Sequence, residues 1–191
     1  MRTASVERVT SETKVEVNLN LDGEGNCSID TGVHFLDHML TQLAVHSRMD
    51  LIVKARGDLQ HHIVEDVAIT LGDAMKKALG ERRQIRRFGD AIVPMDDALA
   101  IVGLDLVQRP YSDVELYLWS GKLEDMASED ILHFIDTLVH SLQFTLHISV
   151  MRGTNDHHKI EAVFKAIALS LRKAWASDLG GRSVPSSKGM M

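Results

Sequence analysis

Two copies of a His-His-x-x-Glu motif carry the side chains of this sequence that are best suited to chemistry. The copies lie at residues 61–65 and 157–161. Each begins a long amphipathic pattern, which predicts that each occupies the first turn of a helix. Residues three or four positions apart share a helix face, so Glu65 could bind one metal ion together with His61 or His62. Adjacent histidines point about 100° apart. The two copies together therefore favour a dinuclear metal centre to which each motif contributes both imidazoles.

The chain has ten histidines, so further ligands are available. A site rich in imidazole with one or two carboxylates suits Mn, Fe, Co, Ni or Zn better than Mg or Ca. Outside the motifs, His46 and His140 lie at predicted helix ends, where a solvated or dipole-complementing role is favoured. His147 lies in a predicted strand and could equally be a hydrogen-bonded core histidine. The other candidates are His34, His38 and His133.

Basic residues form a second set with chemical potential. The arginines that follow the first long helical pattern are typical of a solvated loop; they are Arg82, Arg83, Arg86 and Arg87. Arg109 is isolated after a predicted strand. The tail at 185–189, Pro-Ser-Ser-Lys-Gly, offers hydroxyls, backbone N–H groups and an ammonium to a phosphate. The alternative for this tail is a frayed terminus.

The elements that must position these residues repeat along the chain. Strict alternation predicts a half-buried strand at 13–21. A helix at 34–46, a strand at 50–55 and a helix at 61–79 that ends at Gly80 follow a short strand at 27–30. The second half predicts strands at 98–107, 114–119 and 145–151, and helices at 129–142 and 157–176. Both halves therefore read β-β-α-β-α.

Local matches support an internal duplication. His34-Phe-Leu-Asp37 matches His133-Phe-Ile-Asp136 after 99 residues, and the two His-His-x-x-Glu copies are 96 residues apart. Such repeats indicate two packed copies of one supersecondary unit. We therefore predict an α+β fold with two sheets and with helices packed between them or on one face. The repeats are 1–90 and 91–191, the second with the tail, and they form one compact unit.

Composition restricts the partners and the compartment. With 191 residues, 45% hydrophobic and 25% charged, the chain is typical of a soluble globular protein. It has no apolar run of membrane-spanning length and no N-terminal signal-peptide pattern. A net charge of −6 argues against nucleic acid as the main partner. Cys27 is the only cysteine, which excludes an intrachain disulfide and fits a reducing cytoplasm.

Six blocks, in order, closely resemble the imidazoleglycerol-phosphate dehydratases, which act in histidine biosynthesis. The resemblance runs from about Arg2 to Gly189. The blocks are Phe35-Leu-Asp-His-Met-Leu40, His61-His-Ile-Val-Glu-Asp66, Arg87-Phe-Gly89, Pro94-Met-Asp-Asp-Ala-Leu99, His157-His-Lys-Ile-Glu161 with Phe164-Lys165, and Pro185-Ser-Ser-Lys-Gly189.

The resemblance implies a duplicated α+β unit and a homo-oligomer of twenty-four subunits built from trimers, with a pair of Mn ions at sites between subunits. Carried over by motif, one ion is bound by His61, His133, His157 and Glu161. The other is bound by His38, His62, Glu65 and His158. The residues that would contact substrate are Glu12, Gln42, His46, Arg87, Arg109, Lys165, Ser186, Ser187 and Lys188. The two arginines and the Ser-Ser-Lys tail would bind its phosphate.

The implied reaction is the loss of water from imidazole glycerol phosphate, which gives imidazole acetol phosphate. Two metal ions on the ring nitrogens would stabilise an imidazolate, whose electrons can expel the C3 hydroxyl. Glu12 is the candidate base for the C2 proton; its alternative is an exposed glutamate at a strand edge. Two rival functions are a dinuclear metal phosphoesterase and a non-catalytic metal-binding assembly protein.

The sequence departs from the usual family pattern at three places. Only Leu59-Gln60 separates the Gly57-Asp58 turn from His61, where the family usually has several more residues. Val107-Gln108 precedes Arg109 in place of Ser-Gly, and Asp97 stands where glutamate is usual. We expect activity to survive these changes.

Overall fold

A computed structural model describes residues 1–180 and 183–189. The strands are β1 (Thr3–Val9), β2 (Thr13–Asn20), β3 (Cys27–Asp30), β4 (Asp50–Gly57), β5 (Phe88–Met95), β6 (Ala98–Asp105), β7 (Tyr111–Glu115), β8 (Lys122–Leu123), β9 (Met126–Ala127) and β10 (Thr145–Arg152). The helices are α1 (His34–Ser47), α2 (Gln60–Leu79), α3 (Ser128–Leu142) and α4 (Asp156–Ala174). Among the described residues, no helix has the length and apolar character needed to cross a membrane.

Two four-stranded sheets have the same topology. Their strand orders are β1-β2-β4-β3 and β5-β6-β10-β7. In each sheet the first three strands in this order pair antiparallel, and the last strand pairs parallel to its neighbour. This match confirms the predicted α+β duplication. The unit has one more strand at its start than predicted, and the β8–β9 hairpin is found only in the second repeat.

Besides the β8–β9 hairpin, the sequence pattern did not reveal β1 and β5, which are edge strands. In β1 only Ala4 is buried, so no apolar alternation marks it. In β5 the buried positions include Gly89, Ala91 and Val93, which are small, and Pro94 lies on the exposed face, as an edge strand tolerates. The predicted division between residues 90 and 91 falls inside this strand; the division into two repeat units at that point stays a prediction. The strand predicted at 114–119 lies instead at Tyr111–Glu115.

The helices lie between the two sheets. Helices α1 and α2 pack on the first sheet and α3 and α4 on the second, while α2 contacts α3 and α1 contacts α4. The inward residues of β2 include Val15, Val17 and Leu19, all buried, as the alternation predicted. Full burial of such side chains contributes about 1.5–3 kcal/mol each. The resulting core contains residues of both repeats. It includes buried residues of α2 and α4, the helices that bear the motifs.

Glycines allow two close contacts in this core. A Cβ at Gly89 would overlap the carbonyl oxygen of Ser170, so β5 can approach α4 only with glycine there. A Cβ at Gly72 of α2 would lie 2.5 Å from Cβ of Ser141 in α3. Each contact joins a helix to an element that is distant from it in the sequence.

The prediction of a solvated loop is wrong for Arg82. Its side chain is buried, and its guanidinium donates hydrogen bonds to the carbonyls of Leu106, Leu142 and Gln143. Burial lowers the pKa of Arg82 to about 10, so it stays charged at neutral pH. Arg83 and Arg86 are exposed, as predicted. Arg82 therefore holds the end of α3 rather than facing solvent, and Arg87 also departs from the prediction, because it is largely buried in an ion pair with Asp105.

Candidate metal and substrate site

The first ligand group lies where α2 meets α3. His61 and Glu65 occupy successive turns on one face of α2, as the spacing predicted, and His133 comes from α3. The Nε2 atom of His133 lies 3.4 Å from Oε1 of Glu65. The rings of His61 and His133 stack with centroids 5.1 Å apart. One ligand atom from each residue lies within 4.8 Å of the others, so the group could hold a metal ion.

The second ligand group lies where α4 meets α1. Oε2 of Glu161 lies 3.0 Å from Nε2 of His38 and 3.3 Å from Nε2 of His157. These three residues also satisfy the distance requirement for a shared ion. Each group thus combines a histidine and a glutamate from the first turns of one helix with a histidine from a helix of the other repeat. The duplication therefore produces two similar ligand groups in one chain.

Every motif histidine has a carboxylate beside its Nδ1 atom. The Nδ1 to oxygen distances are 2.6 Å for His61 and Asp130, 2.8 Å for His62 and Asp58, 3.3 Å for His157 and Glu124, and 2.8 Å for His158 and Asp97. An ionised carboxylate only accepts hydrogen bonds. The contact favours the neutral tautomer that has its proton on Nδ1, in which the lone pair of Nε2 is available to a metal ion. This is the arrangement that orients metal-binding histidines.

These four carboxylates were not among the predicted site residues. Asp58 lies four residues before His62, in the short turn between β4 and α2, and this proximity was a usable signal. Asp130, Glu124 and Asp97 are distant in the chain from the histidines they contact, so no local spacing pointed to them. Asp97 also accepts hydrogen bonds from Thr154 and Asn155, which lowers the pKa of its carboxyl.

The first group fits a metal ion on an independent ground. The Nε2 atom of His133 is buried and has no hydrogen-bond partner among the described residues. Leaving a buried polar atom unpaired costs about 1–3 kcal/mol. A cation at this position would remove that cost. Two imidazoles and one carboxylate suit Mn, Fe, Co or Zn.

Glu161 is held in its charged form. Burial would raise the pKa of this carboxyl, but hydrogen bonds from Lys165 and His38 outweigh burial and lower the pKa to about 2. The Nζ atom of Lys165 lies 2.8 Å from Oε1 of Glu161. In the other motif, the contact with Asp58 raises the pKa of His62. Glu161 is thus ionised at neutral pH, the form in which a carboxylate binds a metal ion.

The predicted ligand sets each draw on both groups. The set with His61 and His133 also includes His157 and Glu161, and the set with Glu65 also includes His38, His62 and His158. Within one chain the described residues form two separate groups instead. The predicted sets stay a prediction.

Several predicted substrate residues lie beside one or other group. Nε2 of His46 lies 3.2 Å from Oε1 of Gln42, and both precede the end of α1. Burial and then the charge of Lys165 lower the pKa of His46, which places it near the Glu161 group. Glu12 lies in the β1–β2 turn, and its Oε2 is 3.6 Å from Nδ1 of His62. The candidate base is therefore next to the first ligand group.

The remaining predicted substrate residues line a basic cavity. Its volume is about 440 Å³, and its lining residues are Arg87, Val107, Gln108, Arg109, Ser186, Ser187 and Lys188. Arg87 forms a bidentate ion pair with Asp105 at 2.7 and 2.8 Å and donates to the carbonyl of Pro185 at 2.9 Å. The tail is thereby attached to the second repeat. The residues predicted to bind phosphate are brought together.

Three histidines, His34, His140 and His147, are neither motif residues nor predicted metal or substrate residues. His147 is exposed on the outer face of the second sheet, near Tyr111, so the core alternative for it is wrong. His140 is exposed at the end of α3, where its Nδ1 donates a hydrogen bond to the carbonyl of Asp136 in the same helix. His34 begins α1.

Comparisons with known proteins agree with this geometry. Residues 31–171 match the family model for imidazoleglycerol-phosphate dehydratase. Proteins of that name from Methanothermobacter thermautotrophicus and Dehalococcoides mccartyi are 50% and 48% identical to this chain. The alignments cover 100% of this chain and 98% and 97% of those relatives.

Solved structures show the same fold. The Pyrococcus furiosus protein IGPD, crystallised in complex with (S)-C348, has a TM-score of 0.86 at 37% identity and covers 97% of this chain and 100% of its own. The imidazoleglycerol-phosphate dehydratase from Staphylococcus aureus has a TM-score of 0.84 at 32% identity, with 92% and 99% coverage. Because sequence and fold match over nearly the whole chain, this protein belongs to the imidazoleglycerol-phosphate dehydratase family of lyases.

Proposed function

We propose that this chain dehydrates imidazole glycerol phosphate to imidazole acetol phosphate in histidine biosynthesis, with two Mn ions per active site. The proposal is supported mainly by the two ligand groups. The motif histidines contact carboxylates through their Nδ1 atoms. Family membership selects the reaction from those that such a centre could perform. The basic cavity supplies a place for the phosphate.

The active site is proposed to form between subunits. One subunit supplies His38, His157, His158 and Glu161, and a neighbour supplies His61, His62, Glu65 and His133. This follows because each predicted ligand set takes residues from both groups, which are separate in one chain. Assembly into a homo-oligomer of twenty-four subunits, as the resemblance implies, would generate such contacts repeatedly.

In the proposed reaction the metal ions and the residues of the chain have different roles. When bound, the two Mn ions would act as Lewis acids that compensate the negative charge developing on the imidazole ring. The C3–O bond breaks, and Glu12 accepts the proton from C2, so that the elements of water are lost and the enol product tautomerises to the ketone. The hydrogen bonds of the Thr10–Thr13 turn hold Glu12 at the start of β2. A base fixed in this way loses little freedom on reaction.

Phosphate binding is assigned to the cavity at Arg87, Arg109 and the tail. Ser186, Ser187 and Lys188 add hydroxyls and a cation to the two guanidiniums, a set suited to a dianion. Asp105 neutralises part of the charge of Arg87 and fixes the plane of its guanidinium. Gln42, His46 and Lys165 are proposed to contact the glycerol or the ring from the Glu161 group.

The first test is turnover of imidazole glycerol phosphate by metal-stripped protein before and after Mn is added. Ketone product that forms only with Mn supports the reaction and the metal together. Cleavage of the phosphate ester without ketone would favour the phosphoesterase. That rival is disfavoured because neither ligand group among the described residues contains a bridging aspartate. Bound Mn with neither activity would favour the non-catalytic assembly protein.

Lys188→Ala tests the phosphate assignment. Because hydrogen bonds to charged groups contribute about 1.5–3 kcal/mol, we expect kcat/KM to fall at least tenfold with unchanged Mn content. Lys54→Ala, an exposed lysine of β4, is the matched control and should retain wild-type kinetics. Loss of metal and assembly in Lys188→Ala would show that the tail is structural and that the phosphate assignment is wrong.

A further inference from the structure

One segment breaks the symmetry of the duplication near both ligand groups. In the first repeat only residues 31–33 separate β3 from α1. In the second repeat residues 116–127 separate β7 from α3, and we call this segment the connector. It contains the β8–β9 hairpin, and its Leu123 and Met126 are buried in the core. The connector is therefore packed in place and is not a free loop.

The first part of the connector is tied to the first turn of α4. Oδ2 of Asp156 accepts hydrogen bonds from the backbone N–H groups of Trp119 and Ser120, both at 2.8 Å. The ammonium of Lys159, itself 2% exposed, donates to the carbonyl of Tyr117 at 2.7 Å and to Asp156 at 2.8 Å. These buried contacts lie on either side of His157 and His158 in sequence.

The second part of the connector caps α1. The residue before this helix, Val33, provides no side-chain cap. Instead, the carboxylate of Asp125 accepts hydrogen bonds from the N–H groups of His34 and Phe35, at 2.7 and 2.9 Å. This distant residue thus satisfies two of the free N–H groups at the helix start. His38 lies one turn further along the same helix.

The same residue also contacts the start of α2. The carbonyl of Asp125 accepts a hydrogen bond of 2.6 Å from Nε2 of Gln60, the residue before His61. Directly before it, Glu124 contacts Nδ1 of His157. Directly after the connector, Asp130 of α3 accepts from Nδ1 of His61. The first turns of all four helices are therefore joined through this one segment.

We propose that the connector fixes the two ligand groups relative to each other and that Asp125 is a positioning residue of the metal centre. Its carboxylate orients the helix that bears His38, and its carbonyl orients the helix that bears His61. The inference rests on the proposed metal centre. It assigns to Asp125 a role that needs no contact with metal or substrate.

The test is an Mn²⁺ titration of the intact assembled protein, followed by electron paramagnetic resonance. Asp125→Ala should raise the dissociation constant about tenfold or more, the range found when residues that orient metal ligands are replaced. Asp125→Asn keeps one acceptor oxygen and should recover a large part of the affinity. Lys122→Ala, an exposed position in the same hairpin, is the matched control and should bind as wild type.

A second measurement distinguishes a positioning role of Asp125 from a general loss of stability. Hydrogen exchange of the His34 and Phe35 amides should accelerate in Asp125→Ala, while that of the α3 core amides should not. Gln60→Ala tests the other contact and should also weaken Mn binding. Wild-type affinity in a folded Asp125→Ala protein overturns the inference alone. If Asp125→Ala does not fold, wild-type affinity in Gln60→Ala overturns it. A wild-type protein that binds no Mn overturns the metal centre and this inference together.

Discussion

The motif histidines lie in pairs with carboxylates, and this pairing decides their chemistry at the residue scale. The contacts with Asp130 and Asp97 favour the tautomer of the neutral imidazole that has its proton on Nδ1. A histidine without such a partner can exchange tautomers and rotate. The carboxylates therefore orient these imidazoles as they would need to be oriented to bind metal.

Glu161 gives a prediction for the pH dependence of stability. Its folded pKa of about 2 lies below the ordinary value of 4.5, so its ionised form stabilises the fold above about pH 4.5, and this contribution is lost as the pH falls to about 2. Lys165→Met removes a hydrogen bond and a charge that lower this pKa. The folded pKa should rise, and the metal-free variant should unfold at a higher pH in an acid titration followed by circular dichroism.

Lys173→Met serves as the control for that experiment. Lys173 lies on the same helix but contacts Asp90, which is exposed, at 3.5 Å. Exposed ion pairs contribute little, so its acid transition should match that of the wild type. An unchanged transition in Lys165→Met would contradict the role of Lys165 in holding Glu161 ionised.

At the scale of elements, the first turns of α2 and α4 carry the motif histidines, and buried polar contacts fix where those helices and their partners lie. Arg82 illustrates such a contact, because it joins the end of α3 to the end of β6 through three carbonyls. The edge strands β1 and β5 pack against α2 and α4. Neither feature is marked by hydrophobic periodicity.

Arg82→Ala should lower the free energy of unfolding by about 3 kcal/mol, since it leaves three carbonyls without their donor. Arg83→Ala, the exposed neighbour, should change it by no more than about 0.5 kcal/mol. Urea unfolding of the metal-free proteins measures both. Equal midpoints for the two variants would show that the buried guanidinium does not stabilise the fold.

At the scale of the whole molecule, the two ligand groups of one chain are separate, while each predicted ion needs both. Ions shared between subunits would stabilise the contact between them, because binding to the assembled state alone shifts the equilibrium towards assembly. Removal of metal with EDTA should therefore give smaller species in sedimentation velocity, and added Mn should restore the large one. A size that does not respond to verified metal loss would place both ions within single subunits.

Local features were predictable from the sequence because they depend on residues close together in the chain. The four-residue spacing of His61 and Glu65, and of His157 and Glu161, determined that each pair shares a helix face. The alternation in β2 determined which of its residues are buried. The 99-residue and 96-residue spacings determined that the unit is duplicated.

Long-range contacts were decided only by the tertiary structure. The contact of His133 with Glu65, and of His38 with Glu161, depends on which helices pack together, and a sequence pattern reports one helix face but not its partner. Glu124 reaches His157 from 33 residues away in the chain. Arg82 and Arg83 are adjacent and alike in sequence, yet one is buried and the other exposed, because burial depends on the carbonyls that the fold brings to each guanidinium.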